Sequence, residues 1–276
     1  MSFIEDLRSA QERNNSRLCV GLDPDPGKLP GSHVEPIDLQ MQDFQVWGKV
    51  IVDATAPFAC CFKPNLAFWC ASGAYDELQT VIAHIHNKGL PVIVDGKRND
   101  IGNTARLYAE EVFGFYDGDA ATINPYLGWD GIGPFADYAD SSRGVFVLCR
   151  TSNKSAPEFQ GVSSELTPLY RSVAAKVADW RNMRYLNLGL VVGATFPADL
   201  MMVRGLVGWD CPILIPGVGK QGGDVAATLK ANGGGLAVIN SSSAIIFASS
   251  DPANFAQAAA DKASETRDLI NQYWEG

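Results

Sequence analysis

Eight short apolar runs alternate along the chain with eight stretches of helical spacing. Each run is short, rich in β-forming residues and followed by glycine, proline or polar residues, which is typical of a buried strand that ends in a turn. Continuous apolar strands separated by helices indicate parallel strands covered on both faces. Eight such units in 276 residues predict a closed (β/α)8 barrel of the α/β class, the TIM barrel. The predicted strands are Leu18–Asp23, Ala59–Pro64, Pro91–Gly96, Ala120–Pro125, Gly144–Leu148, Gly189–Gly193, Pro212–Pro216 and Leu236–Asn240.

The intervening stretches have the apolar spacing of amphipathic helices. A further charged amphipathic helix is predicted at the N-terminus, within Met1–Arg17. A doubly wound open sheet is the alternative fold, but no G-x-G-x-x-G motif follows the first strand, where that fold binds a dinucleotide. With 46% hydrophobic residues, residues 1–276 are expected to form one barrel domain. The predicted helices between and after the strands are Leu39–Ala54, Tyr75–Asn87, Thr104–Phe113, Ile132–Ala139, Leu166–Arg181, Pro197–Val207, Asp224–Ala231 and Asn254–Trp274.

The composition argues against several classes of partner. A formal net charge of −9 disfavours nucleic acid and anionic membrane surfaces, because such partners require a basic face. No apolar run reaches the roughly 18 to 20 residues of a membrane span, and the N-terminus lacks the features of a signal peptide. The six cysteines show no C-x-x-C spacing and lie mostly in or beside apolar runs, as reduced core thiols do. We therefore expect a cytoplasmic protein without a disulfide or a zinc site.

A cluster of charged residues follows the third apolar run. In a strand over residues 91 to 96, side chains alternate between the two faces, so Ile93, Asp95 and Lys97 share one face. Asp95 and Lys97 then lie side by side at the carboxyl end of the strand, and Asp100 follows where the chain turns into a helix. Such charges are costly to bury. On its own the cluster fits either a structural ion pair or a functional site.

Polar residues also end most of the other predicted strands. Functional residues of a (β/α)8 barrel gather at the carboxyl ends of its strands, so this distribution is the one expected of an active site. The loops after strands seven and eight commonly hold a phosphate through backbone N–H groups, and Asp224 is placed to cap the next helix. The strand ends in question are Asp23, Lys63 with Asn65, Asp95 with Lys97, Thr151–Asn153, Pro216–Gly223 and Asn240–Ser243.

Five segments, read in order, resemble the orotidine 5′-phosphate decarboxylase family. The D-x-K-x-x-D core alone is shared with hexulose-phosphate synthases and keto-gulonate-phosphate decarboxylases. The longer D-x-K-R-x-D-I-x-x-T motif, with F-K-P-N before it and P-G-V-G-x-Q-G-G after it, is more specific. The long loop after strand five resembles the longer-chain bacterial-type group. The segments are Gly21–Asp23, Phe62–Asn65, Asp95–Thr104, Thr151–Asn153 and Pro216–Gly223.

The resemblance implies conversion of orotidine 5′-phosphate to UMP, the last step of de novo pyrimidine synthesis, without a cofactor or a metal. It also implies a homodimer with its active sites at the subunit interface. The catalytic residues that it implies are Lys63, Asp95 and Lys97 of one subunit and Asp100 of its partner, with Ile101 and Thr104 also contributed across the interface. The substrate-binding residues that it implies are Asp23 for the ribose, Ser152 for the pyrimidine amide, and Pro216, Gly217, Val218, Gly219 and Gln221 for the phosphate.

The segment after strand eight departs from the family pattern. The family motif there reads Ser-Arg, with an arginine that grips the phosphate, whereas this chain has Ser242 followed by Ser243. Loss of a charged hydrogen bond costs roughly 1.5–3 kcal/mol, so phosphate binding is expected to weaken about tenfold to a hundredfold. Lys220 is a candidate for a partial replacement.

The chemistry of decarboxylation at C6 can be argued from the residues. Loss of CO2 from C6 of orotate leaves a carbanion with no adjacent π system, and the chain has no pyridoxal, thiamine or metal motif to act as an electron sink. A fixed ammonium beside C6 in a closed site of low dielectric stabilises that charge, and Lys97 is the candidate. The same group can then donate a proton to C6 as a general acid.

Two alternatives stay open at this point. A related barrel with the D-x-K-x-x-D motif could act on a sugar phosphate with magnesium, but its first acidic ligand normally precedes the motif, where this chain has Ile93. A non-catalytic nucleotide-phosphate binding protein is the second alternative, motivated by Ser243. Presence of all four charges of the array argues against it.

Overall fold

A computed structural model describes residues 2–30, 41–139, 142–164, 167–218 and 224–274. Eight parallel strands form one sheet, and each of them overlaps a strand predicted from the sequence. The strands are β1 (Leu18–Leu22), β2 (Cys61–Pro64), β3 (Ile93–Arg98), β4 (Ala120–Ile123), β5 (Gly144–Arg150), β6 (Leu188–Val192), β7 (Ile213–Pro216) and β8 (Ala237–Ser241).

The sheet closes into a barrel. Its strands are hydrogen-bonded in the order β2-β1-β8-β7-β6-β5-β4-β3, which leaves β2 and β3 at the two ends. Parallel bridges join these ends, pairing Phe62 with Val92 and Asn65 with Asp95. The predicted (β/α)8 barrel is confirmed. The doubly wound alternative is wrong, because an open sheet would leave two unpaired edges.

Helices follow the strands and cover the outside of the barrel. All the predicted helices are present, with ends that differ by a few residues where they can be compared, and the predicted starts at Leu39 and Leu166 lie outside the described residues. The short helices α3, α7 and α11 were not predicted, because each is too short to show a helical period. A π-helical turn over Glu111–Phe115 extends α5. The helices are α1 (Phe3–Arg13), α2 (Met41–Thr55), α3 (Leu66–Ala71), α4 (Tyr75–His86), α5 (Gly102–Glu110), α6 (Trp129–Ala139), α7 (Pro157–Gln160), α8 (Leu169–Met183), α9 (Pro197–Val207), α10 (Val225–Asn232), α11 (Ser243–Ile246) and α12 (Phe255–Tyr273).

The N-terminal helix α1 closes the amino-terminal end of the barrel. Ser2 caps it, since the Ser2 hydroxyl accepts from the Glu5 amide while the Glu5 carboxylate accepts from the Ser2 amide. Its buried side chains Phe3 and Leu7 belong to the cluster of apolar residues inside the barrel. The Phe3 ring meets Phe146 of β5 edge to face at 5.8 Å. The amino-terminal end of the barrel is therefore closed by packed apolar side chains, and the carboxyl end is open to a ligand.

The inward-facing side chains form layers along the barrel axis. One layer is apolar and includes Cys19, Cys61, Ile93, Phe146, Leu214 and Val238. Because side chains alternate along a strand, the residues two positions further along each strand point inward in the next layer. That next layer includes Gly21, Lys63, Asp95, Leu148, Pro216 and Asn240. The change from apolar to charged side chains within two residues places the chemistry at the carboxyl end of the barrel.

Candidate active site

Lys63, Asp95 and Lys97 form one ion-pair cluster where β2 meets β3. Lys63 Nζ lies 2.6 Å from Asp95 Oδ2, and Lys97 Nζ lies 2.7 Å from Asp95 Oδ1. The side chains of Lys63 and Asp95 are each only 6% exposed, whereas that of Lys97 is 46% exposed. Asp95 thus holds two ammonium groups, of which only that of Lys97 is open to a ligand.

Both buried members of the cluster are charged. Burial by itself lowers the pKa of Lys63, but the carboxylates of Asp95 and Asp23 outweigh burial and raise the pKa of Lys63 above its ordinary value. Burial likewise opposes ionisation of Asp95, yet the charges of Lys63 and Lys97 hold the pKa of Asp95 well below its ordinary value. Lys63 and Asp95 therefore carry fixed charges throughout the neutral range of pH.

Thr122 on β4 completes this cluster and was missed by the sequence analysis. Its hydroxyl donates to Asp95 Oδ1 at 2.7 Å and accepts from the main-chain amide of Lys97 at 3.1 Å. Lys97 has a φ of +46°, a left-handed conformation that is uncommon for residues other than glycine. Thr122 is almost fully buried. The one signal in the sequence was its register, since Thr122 lies two residues beyond the inward-facing Ala120.

A cavity of about 270 Å³ opens between the ends of β1, β7 and β8. It lies at the carboxyl end of the barrel, where the sequence predicts a phosphate site. Gly217 has a φ of +92°, which favours glycine at this turn, and Asp224 caps α10 through the Ala227 amide at 3.2 Å. The described residues that line the cavity are Asp23, Asp25, Lys28, Phe68, Pro216, Gly217, Val218, Asn240, Ser241, Ser242, Ser243, Ala244 and Phe247. Gly219, Lys220 and Gln221 lie outside the described residues.

Asp23 lies in the wall of this cavity, with one oxygen engaged. Asp23 Oδ2 accepts from the Ser242 hydroxyl at 2.6 Å. Asp23 Oδ1 is buried and has no hydrogen-bond partner within the part of the chain that the structure describes, and the same holds for Asn240 Oδ1. Buried acceptors without donors are rare in folded proteins, and these two oxygens are available to hydroxyl or N–H groups of a ligand in the cavity. The sequence analysis placed Asn240 and Ser242 at the end of strand eight but gave neither residue a role in binding.

Ser152 lies in the loop after β5, close to the end of β6. A side chain on Gly193 would collide with the Ser152 backbone, since an added Cβ would lie 2.8 Å from Ser152 Cα. The loop is tied down at its start, where Gln160 accepts from the Thr151 amide at 2.8 Å and Arg150 pairs with Asp199 at 2.8 Å. These contacts fix the position of the Ser152 backbone next to the mouth of the barrel.

Asp100, Ile101 and Thr104 lie apart from the ion-pair cluster of their own subunit. Asp100 Oδ1 accepts a hydrogen bond from the neighbouring Ile101 amide at 2.8 Å, and no ion pair joins Asp100 to Lys63 or Lys97 among the described residues. Ile101 is 51% exposed, and Thr104 is also exposed. The chain by itself therefore assembles three of the four charges expected from the sequence.

A sequence profile of the orotidine 5′-phosphate decarboxylase / HUMPS family matches residues 16–259. The chain belongs to this family. It is 48% identical to the orotidine 5′-phosphate decarboxylase of Dechloromonas aromatica (strain RCB), with 99% of this chain and 100% of the relative covered. It is 47% identical to the enzyme of the same name from Ralstonia nicotianae, with 99% of each chain covered. The structure of Leishmania donovani OMP decarboxylase superposes with a TM-score of 0.82 at 32% identity, covering 99% of both chains.

The magnesium-dependent alternative considered from the sequence would place its first acidic ligand before the D-x-K-x-x-D motif. In this chain the residue two positions before Asp95 is Ile93, which is fully buried in the apolar layer of the barrel. No group of three or more His, Cys, Asp or Glu side chains is arranged to hold a metal ion within the described ranges.

Among the described residues no helix is both long and apolar enough to cross a membrane.

Proposed function

We propose that this protein decarboxylates orotidine 5′-phosphate to UMP and releases CO2. The observation that carries the proposal is the Lys63–Asp95–Lys97 ion-pair cluster at the carboxyl end of a barrel that belongs to this family. Relatives named orotidine 5′-phosphate decarboxylase match the whole chain at nearly half identity. Residues 1–276 are proposed to form a single barrel domain.

The substrate would lie across the mouth of the barrel with its phosphate in the cavity at the ends of β7 and β8. Backbone groups around Pro216, Gly217 and Val218 line that cavity together with Ser243. Gly219 and Gln221 are proposed to add backbone and amide donors to the phosphate. The free oxygen of Asp23 would accept from the ribose hydroxyls, which supplies the donor that this buried acceptor lacks.

The pyrimidine would then extend from the ribose toward β3 and β5. Ser152, in the loop after β5, would hydrogen-bond the amide edge of the ring. Leu148 of the same strand points into the barrel and gives the ring an apolar wall. This orientation directs C6 and its carboxylate toward Lys97, whose ammonium is the accessible one of the cluster.

Lys97 stabilises and then protonates the carbanion. The C6–carboxylate bond breaks with its electron pair left on C6, and CO2 departs. A positive charge fixed beside C6 lowers the energy of that carbanion, since its orientation needs no rearrangement during the reaction. A proton then moves from Lys97 Nζ to C6 and gives UMP, and the neutral amine regains a proton from solvent.

Asp95 and Lys63 hold the Lys97 ammonium in place. Asp95 accepts a hydrogen bond from each ammonium group, from Lys97 at Oδ1 and from Lys63 at Oδ2. Without Lys63, Asp95 Oδ2 would be buried with no hydrogen-bond donor in the cluster, which is costly for a carboxylate oxygen. These two residues are thus assigned to positioning Lys97 and setting the charge pattern around the substrate.

The working assembly is proposed to be a homodimer in the cytoplasm. Asp100, Ile101 and Thr104 would enter the active site of the partner subunit, which explains why they lie exposed and away from their own cluster. A groove of about 830 Å³ on the same side, between α5 and α6, is lined in part by Ile101, Trp129 and Tyr138. A second subunit would cover this apolar surface.

A spectrophotometric assay tests the proposal. Loss of orotidine 5′-phosphate is followed by its ultraviolet absorbance in the presence of EDTA. Turnover that is unaffected by EDTA is expected, because the cluster supplies the chemistry through its own charges. A magnesium-dependent sugar-phosphate enzyme would show no such turnover. A non-catalytic binding protein would bind UMP with no change in the absorbance of orotidine 5′-phosphate.

A further inference from the structure

The phosphate cavity contains more negative than positive charge. Asp23 and Asp25 line it, and among its described lining residues the only cation is Lys28. Ser243, at the position where the sequence resemblance expects an arginine, can offer only a hydroxyl. A phosphate dianion placed between two carboxylates is repelled unless a cation faces it. The cavity therefore needs a positive group, and Lys28 is the one that the described structure provides.

Lys28 is held at the cavity by a short turn after β1. Asp25 caps the single 3-10 turn Pro26–Lys28, accepting from the Gly27 amide at 3.2 Å. The Asp25 carboxylate also pairs with the Lys28 ammonium. On the other side, Lys28 Nζ lies 5.8 Å from the centre of the Phe247 ring, which follows α11. The ammonium thus lies between the β1 loop and the segment that begins at Ser243.

The pairing of Lys28 with Asp25 leaves the ammonium available. The Lys28 side chain is 58% exposed, and a solvent-exposed ion pair of this kind contributes little free energy. A phosphate dianion carries more charge and more acceptor oxygens than a single carboxylate. A small rotation of the flexible lysine chain is enough to exchange one partner for the other.

We infer that Lys28 is the cation that binds the 5′-phosphate of the nucleotide in this protein. The inference rests on the proposed function and adds to it a phosphate ligand from the β1 loop. It also gives Asp25 a role, since Asp25 holds the ammonium at the cavity before the substrate arrives and competes with the phosphate for it.

Binding of UMP and of uridine to the purified protein, measured by calorimetry, separates this role from a structural one. Lys28→Met should raise the Kd for UMP by about tenfold or more, the size expected for loss of a charged hydrogen bond. Uridine binding should not change, because it lacks the phosphate. Lys176→Met is the matched control, since Lys176 also forms an exposed (i, i+3) pair with an aspartate, Asp179, on α8.

Asp25→Asn should act in the opposite direction. The asparagine oxygen can still cap the turn, but the carboxylate that competes with phosphate is gone, so UMP should bind about twofold to fivefold more tightly. Lys28→Arg should keep the wild-type preference for UMP over uridine. These two variants retain a cation and a capped turn, so they remain informative if Lys28→Met folds poorly.

The inference is overturned if Lys28→Met binds UMP as tightly as wild type and Lys176→Met do. It is equally overturned if Lys28→Met and Asp25→Asn both weaken the binding of UMP and of uridine to the same extent. That result is expected if the Lys28–Asp25 pair only stabilises the loop. Turnover of orotidine 5′-phosphate by the wild-type enzyme tests the proposed function itself, so the two ideas can fail separately.

Discussion

The main-chain amide of Lys97 donates a hydrogen bond to the side-chain hydroxyl of Thr122 at 3.1 Å. The same hydroxyl donates to Asp95 Oδ1 at 2.7 Å. One oxygen atom on β4 thus connects the left-handed backbone of Lys97 to the carboxylate that holds the Lys97 ammonium. Because a left-handed residue other than glycine is strained, its surroundings must hold it in place. Thr122 supplies that restraint from the neighbouring strand.

Thr122→Val should reduce kcat and leave KM for orotidine 5′-phosphate nearly unchanged. Valine keeps the shape of threonine but removes both hydrogen bonds, so Lys97 loses its fixed direction toward C6. A displacement of about 1 Å can cost about a hundredfold in rate. Thr122→Ser is the control, since serine retains the hydroxyl and should restore most of the activity. Equal kcat values for the valine and wild-type enzymes would show that Thr122 does not position Lys97.

Lys97→Ala should abolish turnover while the fold persists. The change removes the Lys97 ammonium, which is both the positive charge beside the C6 carbanion and its proton donor. Because Lys97 is half exposed, its loss should have little effect on the melting temperature. UMP binding gives the control, since the phosphate and ribose contacts remain. A kcat close to wild type would contradict the proposed mechanism.

The dimer proposal predicts complementation between two inactive variants. Lys97→Ala and Asp100→Ala chains, each inactive alone, should regain activity when mixed and allowed to exchange subunits. A mixed dimer has one site in which both Lys97 and Asp100 are wild type. Random exchange of equal amounts should restore about a quarter of the wild-type activity. Persistent inactivity after exchange has been verified by mass spectrometry would place Asp100 in the active site of its own subunit.

The strands and their polar ends were predictable because they depend on local sequence. Apolar runs bounded by turn residues gave the eight strands, and the alternation of side chains correctly placed Ile93 and Asp95 on the inner face of the barrel. The contacts of Thr122 were not predictable in this way. They join β4 to β3, and Thr122 is 27 residues from Asp95. Such a pairing depends on strand register in the closed barrel.

The cavity around Lys28 shows a second limit of sequence reasoning. Lys28 and Phe247 are at opposite ends of the chain, and only the pairing of β1 with β8 brings them together. A lysine three residues after an aspartate in a loop has no distinctive pattern. The assignment of Asp100, Ile101 and Thr104 to the active site of the partner subunit rests on the family resemblance. A single chain cannot show a contact that forms between two subunits.

His86 at the opposite end of the barrel should make stability depend on pH. Its Nε2 lies 2.9 Å from Asp119 Oδ2, and the same oxygen accepts from the Val92 amide at 2.8 Å. The hydrogen bond with Asp119 raises the pKa of His86 above its ordinary value of 6.5. Burial lowers this pKa, the charges of Asp119 and Asp117 raise it, and the charge of Arg143 lowers it, so that the net shift is upward. The folded state therefore favours protonated His86.

The sign of the effect follows from the raised pKa. Stabilisation by protonated His86 is fully present below pH 6.5 and is lost as the pH rises through the pKa of the folded state. Unfolding in urea at a series of pH values should therefore show wild type more stable than His86→Gln at pH 6, with a difference that shrinks by pH 9. The partly exposed His84 provides the control variant His84→Gln. A difference that is independent of pH would contradict the assignment.

Ser243→Arg should improve phosphate binding, because Ser243 lines the same cavity as Lys28. A guanidinium can grip two phosphate oxygens at once, which a hydroxyl cannot do. The variant should lower KM for orotidine 5′-phosphate and tighten UMP, with kcat/KM higher by up to about a hundredfold. A substrate without the phosphate should gain nothing.

The new arginine should also make Lys28 less important, so Lys28→Met should weaken UMP binding less in the Ser243→Arg background than in wild type. If activity is unchanged, or rises equally with the phosphate-free substrate, the cations and backbone amides already present saturate the phosphate, and the serine at position 243 has no part in binding it.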